Sequence, residues 1–304
     1  CKQPCLTSTN VNTRGTGNCA PSTFMLLFHF DKTGERRISD LSNLYADQAL
    51  FIVGGSPSLD FQDHRYICDS PIMTMGLNNA VVTVRTQLWC GGDHPACYAP
   101  GILAEPRTMK FASLPHAEAV VQGKQYFQFP NTFFYVPETE VPWHRFFDVQ
   151  PNVPWYHNTL FSSIHIAYML GFRRIYLVGC DFNIPDKNLA YAHPTALSDD
   201  ELDWNRRLYA YQVEELCGLK ELFDKAGLEL VDTSINSKLA GTYKWMKLET
   251  VVRAETDAMH PDKTIAFDTL RLPHSSHFVG KTIGDIVESR LTPEKRGNRA
   301  ITVI

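Results

Sequence analysis

The 304-residue chain lacks most of the signatures that assign a protein at sight. It has no G-x-x-x-x-G-K-[ST] run and no G-x-G-x-x-G spacing, which weakens both a P-loop and an ordinary dinucleotide site. No continuous apolar stretch is long enough to cross a bilayer, and the first residues show none of the charged, apolar and cleavage regions of a signal peptide. A soluble, cytoplasmic protein is therefore expected. An excess of basic charge is also missing: the net charge is −4, so non-specific nucleic-acid binding has no global field behind it. Nor is there an internal repeat or a low-complexity tract.

The eight cysteines contain no C-x-x-C pair. A zinc site can be drawn from Cys1, Cys5 and Cys19 with Cys90, His94 or Cys97, but nothing in the spacing supports it. Reduced thiols, some of them in the core, are the simpler reading.

What the chain does have is enough apolar sequence for a full core, with 44% hydrophobic and 12% aromatic residues. Residues 1–40 read as an N-terminal arm, loosely ordered to about residue 22, with an apolar run from Phe24 to Phe30 that can form a strand. Leu41 to Leu50 carries a short helical pattern. The compact run Ala49 to Val53 then stops at Gly54-Gly55, as a buried parallel strand ends. Further strands are expected at Pro71 to Gly76 and at Ala80 to Leu88, closing on Trp89 to His94.

From Leu114 to Trp155 the chain is aromatic and proline-rich, and a lid over about 114–157 is expected. Asn158 or Thr159 can cap a helix that ends at Gly171, and Arg174 to Asp181 contains the clearest buried strand. A capping box, Ser198 with Glu201, opens a long helix running to Gly227, followed by a strand at Leu228 to Val231. The expected fold is a Rossmann-like, doubly wound, mainly parallel α/β sheet over 41–250, with a C-terminal extension at 251–304.

Candidate chemistry gathers where these strands end. The turn Gly54-Gly55-Ser56-Pro57-Ser58 has glycines that let a ligand approach, and amides and hydroxyls that can hold phosphate oxygens. A parallel sheet brings Asn78, Asn79, Asp93 and Asp181 to the same carboxyl edge, where ligands bind. Tyr191 and His193 follow in a short loop, and His193 has the intrinsic pKa of a general base. Asp181 can orient a base, bind a metal or cap loop amides.

Taken together, these pieces resemble the bacterial lipooligosaccharide sialyltransferases and the related archaeal hydroxymethyl-dihydropterin diphosphokinase-like proteins. The resemblance spans about residues 50–245. Phe51 to Leu59 looks like the family's strand and G-x-G-P-S-L turn, with Ser56 in place of a glycine. The segment from Leu170-Gly171-Phe172 to Gly179-Cys180-Asp181-Phe182 is the strongest match, and Ile235 to Ala240 resembles a later N-S-x-L-A segment.

The resemblance implies a GT-A-like, single-Rossmann variant of the fold. It implies that Gly55, Ser56 and Ser58 hold the nucleotide, that Asn78 lies beside the donor, and that Tyr191 contacts donor phosphate. Gly54, Asp93, Asn158, Thr159, Gly179 and Asp181 complete the donor set. Asp93 stands where the sialyltransferases have asparagine and the diphosphokinase-like branch has aspartate. The family's catalytic histidine lies just before the long helix; residues 195–204 hold none here, and His193 is its displaced substitute.

The function expected is a nucleotide-sugar-dependent glycosyltransferase acting on a hydroxyl-bearing acceptor, with no cofactor required. One alternative is an ATP-dependent diphosphokinase with magnesium between Asp93, Asp181 and the phosphates. Another is a non-catalytic nucleotide-binding protein. A homo-oligomer is compatible with the sequence.

Overall fold

The computed structural model describes residues 26–148, 152–188, 190–193 and 197–259. The cysteines at positions 1, 5 and 19, the loosely ordered part of the expected arm to about residue 22 and most of the C-terminal extension lie outside them, whereas residues 26–40 of that arm hold the first two strands. The chain divides into two units, Cys1–Thr256 and Asp257–Ile304; of the second, only residues 257–259, the last of a helix, are described. No helix among the described residues is long and apolar enough to cross a membrane.

In chain order the elements are strands β1 (Leu26–Phe30), β2 (Arg36–Asp40) and β3 (Ala49–Val53), helix α1 (Arg65–Cys68), then β4 (Met73–Leu77) and β5 (Leu88–Gly91). Helix α2 (Pro100–Ala104), β6 (Met109–Ser113), the small hairpin β7 (Val120–Val121) and β8 (Lys124–Gln125), β9 (Thr132–Glu138) and β10 (Asn152–Pro154) follow. The last part is α3 (Thr159–Met169), β11 (Arg174–Val178), α4 (Asp199–Gly218), α5 (Lys220–Lys225), β12 (Glu229–Asp232), β13 (Lys244–Trp245) and α6 (Leu248–Met259).

One mixed, largely parallel sheet runs β13-β12-β11-β3-β4-β5-β6-β9-β1-β2, parallel from β13 to β9 and antiparallel through β1 and β2. This α/β architecture is compatible with a Rossmann-like fold. All five residues of β3 are buried, because a central strand has no solvent face and so shows no alternation. From β3 the chain steps outward through β4, β5, β6 and β9; it then returns to the other side of β3 as β11 and continues to β12. The carboxyl ends of β3 and β11 therefore flank a topological switch point, where the following loops separate and leave a crevice.

Helix α3 lies under this point with ten of its eleven residues buried. Asn158 caps it, its side chain accepting from the Leu160 amide at 2.8 Å, and Gly171 follows its end at φ +102°. Its buried polar groups are satisfied at short range: Ser162 Oγ donates to the Pro154 carbonyl (2.9 Å) and Ser163 Oγ to that of Thr159 (2.8 Å). At the start of β11, Arg174 grips Glu255 of α6 through two contacts of 2.7 and 3.0 Å, and Tyr176 Oη donates to the same carboxylate. The first turns of the expected extension thus belong to the sheet domain.

Several local expectations are corrected. Residues 42–47 form turns instead of a helix, since the Asn43 and Tyr45 amides bond the Met169 and Leu170 carbonyls that end α3. The strand expected at Ala80 to Leu88 begins only at Leu88. Asn78–Val82 is instead a 3₁₀ turn, entered through Asn78 at φ +48°, which buries Ala80. The β preference of Val81, Val82 and Thr83 yields to that turn. Within the expected lid, β9 is a strand of the main sheet, paired with β6. The long helix breaks between α4 and α5 beside Gly218, whose missing side chain makes room for the Trp143 ring.

The narrowest point of the fold is between the ends of β3 and β11. A Cβ on Gly54 would collide with the Gly179 carbonyl and approach Cys180 Sγ to 2.8 Å; one on Gly179, already at φ +61°, would meet the Gly54 carbonyl at 2.8 Å. Gly54→Ala is expected to destabilise the protein by about 1–3 kcal/mol through overpacking, read as a lower denaturant midpoint. An unchanged midpoint would show that the two strands can separate freely.

Candidate functional site

The crevice at the switch point is a cleft lined by Gly54, Gly55 and Ser56 after β3, Leu77 to Ala80 after β4, Asn158 and Leu160 of α3, Gly179, Cys180 and Phe182 after β11, and Tyr191, His193 and Tyr209. Its volume is about 120 Å³, below the ~300–1,000 Å³ of sites that enclose a whole small molecule, so a nucleotide-sized ligand would keep part of its surface outside. A larger hollow of about 730 Å³ lies between the β1–β2 hairpin and the start of β9. That is the amino edge of the parallel strands, away from the switch point, and the cleft is the better candidate.

Hydrogen bonds within the protein engage most of the polar groups of the turn after β3. The Gly54 amide donates to the Val178 carbonyl (2.8 Å), that of Ser56 to Gly179 (3.0 Å), and that of Leu59 to Ser56 (3.0 Å). Ser58 sits outside the cleft and gives both its amide (3.0 Å) and its hydroxyl to the Asp181 carboxylate. Asp181 in turn donates its amide to Ser56 Oγ at 3.2 Å. Ser58 and Asp181 thus lock two loops together. In this turn only the Gly55 amide and the Ser56 hydroxyl proton remain uncommitted among the described residues.

Asn78 and Asn79 behave differently. Asn79 is spent on structure, its amide donating to the Cys97 carbonyl and its oxygen accepting from Ala99 N. Asn78 is fixed by Trp89 Nε1, which donates to its backbone carbonyl (2.8 Å), and by Thr159 Oγ1, which donates to Oδ1 at 3.1 Å. The Asn78 side-chain nitrogen, in the cleft wall, has no partner among the described residues. Thr159 therefore positions Asn78 instead of lining the cleft. Asn158 is also fully engaged: Oδ1 caps α3, and Nδ2 donates to Gln212 Oε1 at 2.6 Å. Gln212, buried on α4, was not anticipated, although it is the lone amide between Tyr209 and Val213 on that inward face.

Tyr191 and His193 close the cleft. Their rings stack at 5.2 Å and 14°, and the loop is tied down by the Ala192 amide, which donates to the Gly55 carbonyl (2.9 Å). His193 Nδ1 is buried without a partner among the described residues, and burial lowers the ring's pKa from the ordinary 6.5. Burial raises the Tyr191 phenol, and the Tyr209 hydroxyl opposite is close enough to shift it in turn. Phe182 holds φ +52° beside Tyr209, and Tyr156 and His157, just before Asn158, are also left-handed. Bulky residues adopt that conformation at a cost, and their gathering around one cleft is typical of a functional site.

Asp93, expected among the donor ligands, is not part of the cleft wall; it is exposed beyond it, with its amide donating to Tyr98 Oη at 2.7 Å. Among the described residues no group of three or more His, Cys, Asp or Glu side chains is arranged to hold a metal ion. No protein-family model, curated protein or solved structure matches the chain.

Burial pushes the Asp181 carboxyl up from 3.8 to about 6, outweighing the two Ser58 hydrogen bonds, while the Asp232 charge adds to the rise. A folded pKa above the unfolded one means stability that is complete below pH 3.8 and lost as pH rises through about 6. Urea unfolding should therefore show Asp181→Asn losing less stability than the parent between those values, by about 1–3 kcal/mol. Parallel stability curves would show that Asp181 does not carry this dependence.

Proposed function

We propose that the cleft binds a nucleotide-activated donor and that the chain is a transferase moving a sugar to an acceptor hydroxyl, similar to the sialyltransferases its motifs resemble. The observation that carries this reading is His193, a buried imidazole nitrogen with no partner among the described residues, in a cleft at the switch point of the sheet. Its lowered pKa keeps it neutral at pH 7, so it can take the acceptor proton as the new C–O bond forms. The bond between the sugar and the nucleotide phosphate breaks in the same step. The leaving phosphate is then met by the Asn78 amide nitrogen, the Gly55 amide and the Tyr191 hydroxyl.

The charge of the lining supports one class of donor over another. Among the described residues it contains Gly, Ser, Asn, Ala, Leu, Cys, Phe, Tyr and His, and no Lys or Arg. Neutral donors suit the single charge of a nucleoside monophosphate ester, whereas a diphosphate calls for cations close by. The magnesium-dependent diphosphokinase alternative needs Asp181 as a ligand, but Ser58 already engages both of its oxygens.

His193→Ala is expected to lower turnover of a nucleotide sugar by about a hundredfold or more at unchanged melting temperature. In the parent, kcat/KM should fall on the acid side only below the ordinary histidine range, because the ring loses its proton more easily than a free imidazole. Full activity in the alanine variant would assign the cleft to binding without catalysis.

A further inference from the structure

Beyond the cleft, the loops after β5 and β6 bring together Asp93, His94 and His116, which no step of the proposed transfer uses. The His94 and His116 rings meet edge to face at 5.5 Å. This loop is not loosely placed. Asp93 is anchored through Tyr98, which packs edge-on against Trp89 at 4.9 Å; Trp89 in turn bonds the Asn78 carbonyl, and Asn79 bonds Cys97 and Ala99. The Asp93 loop and the Asn78 wall of the cleft therefore form one rigid body, and the Asp93 charge lies close enough to be felt by Tyr191.

The hydrogen-bonding character of the cluster is set by its own geometry. The Ala96 amide donates to His94 Nδ1 at 3.3 Å, which places the ring proton on Nε2 and makes that exposed atom a donor. The exposed Asp93 carboxylate can only accept. An anion would be repelled by Asp93, and an ammonium ion would leave the His94 donor unused. A hydroxyl, which both donates and accepts, satisfies both groups.

We propose that Asp93, His94 and His116 form the acceptor subsite, which binds a neutral polyol such as a saccharide by its vicinal hydroxyls and holds one of them toward His193. This rests on the transferase reading of the cleft and moves Asp93 from the donor to the acceptor side.

The test uses the full chain and its Asp93→Asn and His94→Ala variants, with melting temperature as the folding control. CMP, UDP, GDP and ADP are titrated by calorimetry, and lactose binding is read by saturation-transfer NMR with and without the nucleotide that binds. The subsite predicts that both variants lose the lactose signal by tenfold or more while nucleotide affinity stays within twofold. Loss of nucleotide affinity in Asp93→Asn with an unaltered lactose signal would return Asp93 to the donor site and overturn the proposal, as would a parent protein that shows no lactose signal. If no nucleotide binds but a lactose signal is lost in the variants, the polyol subsite stands and the donor reading of the cleft fails.

Discussion

The approach of Gly54 to Gly179 is the constraint on which the rest depends. Two buried parallel strands run side by side in register from Ala49 and Arg174 to Val53 and Val178, and their backbones stay in contact one residue further because neither glycine carries a side chain. Past that point the following loops lead to opposite sides of the sheet, since β4 lies on one flank and β12 on the other. The cleft is the space this parting creates. Its glycines serve backbone packing first, and the resemblance of the turn to a nucleotide-binding loop is a resemblance of strand ends as much as of ligand contacts.

Around that space the fold consumes most of its own polar groups. Ser58 is used by Asp181, Asn158 by Leu160 and Gln212, Asn79 by Cys97 and Ala99, and Thr159 by Asn78. Ser58 and Thr159 are the buried ones, and leaving either unpaired would cost about 1–3 kcal/mol, so their pairing helps to make the walls rigid. Among the described residues, what remains uncommitted in the cleft is a short set: the Gly55 amide, the Ser56 hydroxyl proton, the Asn78 amide nitrogen and the His193 nitrogen. On the proposed reading, a rigid wall with a few unspent donors and one unspent base suits a ligand with a single phosphate charge and a reacting hydroxyl, because no reorganisation would be needed at the moment of transfer.

The parts of this arrangement legible in the sequence are those whose signal is local. The apolar run ending at Gly54, the Asn158 cap and Gly171 terminator of α3, and the Ser198–Glu201 capping box each announce themselves within a few residues, and the structure has all of them. The turns at 42–47 and the late start of β5 were not legible, because they are decided by partners far along the chain: the carbonyls at the end of α3 and the turn at Asn78. The same holds for the site. Gly55, Asn78, Tyr191 and His193 were found as strand-end and loop residues, whereas the diversion of Ser58 to Asp181, 123 positions away, and the part played by Gln212 could not be seen without the fold.

The claim that the cleft receives a nucleotide is tested most directly at Gly55. A Cβ there would rest 3.7 Å from the His193 ring in ordinary contact, so a larger side chain can fill the cleft without breaking the Gly54–Gly179 junction. Calorimetric titration of CMP, UDP, GDP and ADP into the parent and into Gly55→Leu decides the matter. One nucleotide should bind the parent and lose about a hundredfold in affinity in a variant that melts normally, a change of roughly 2.7 kcal/mol. Equal affinity in the two proteins would place the nucleotide elsewhere and contradict the account.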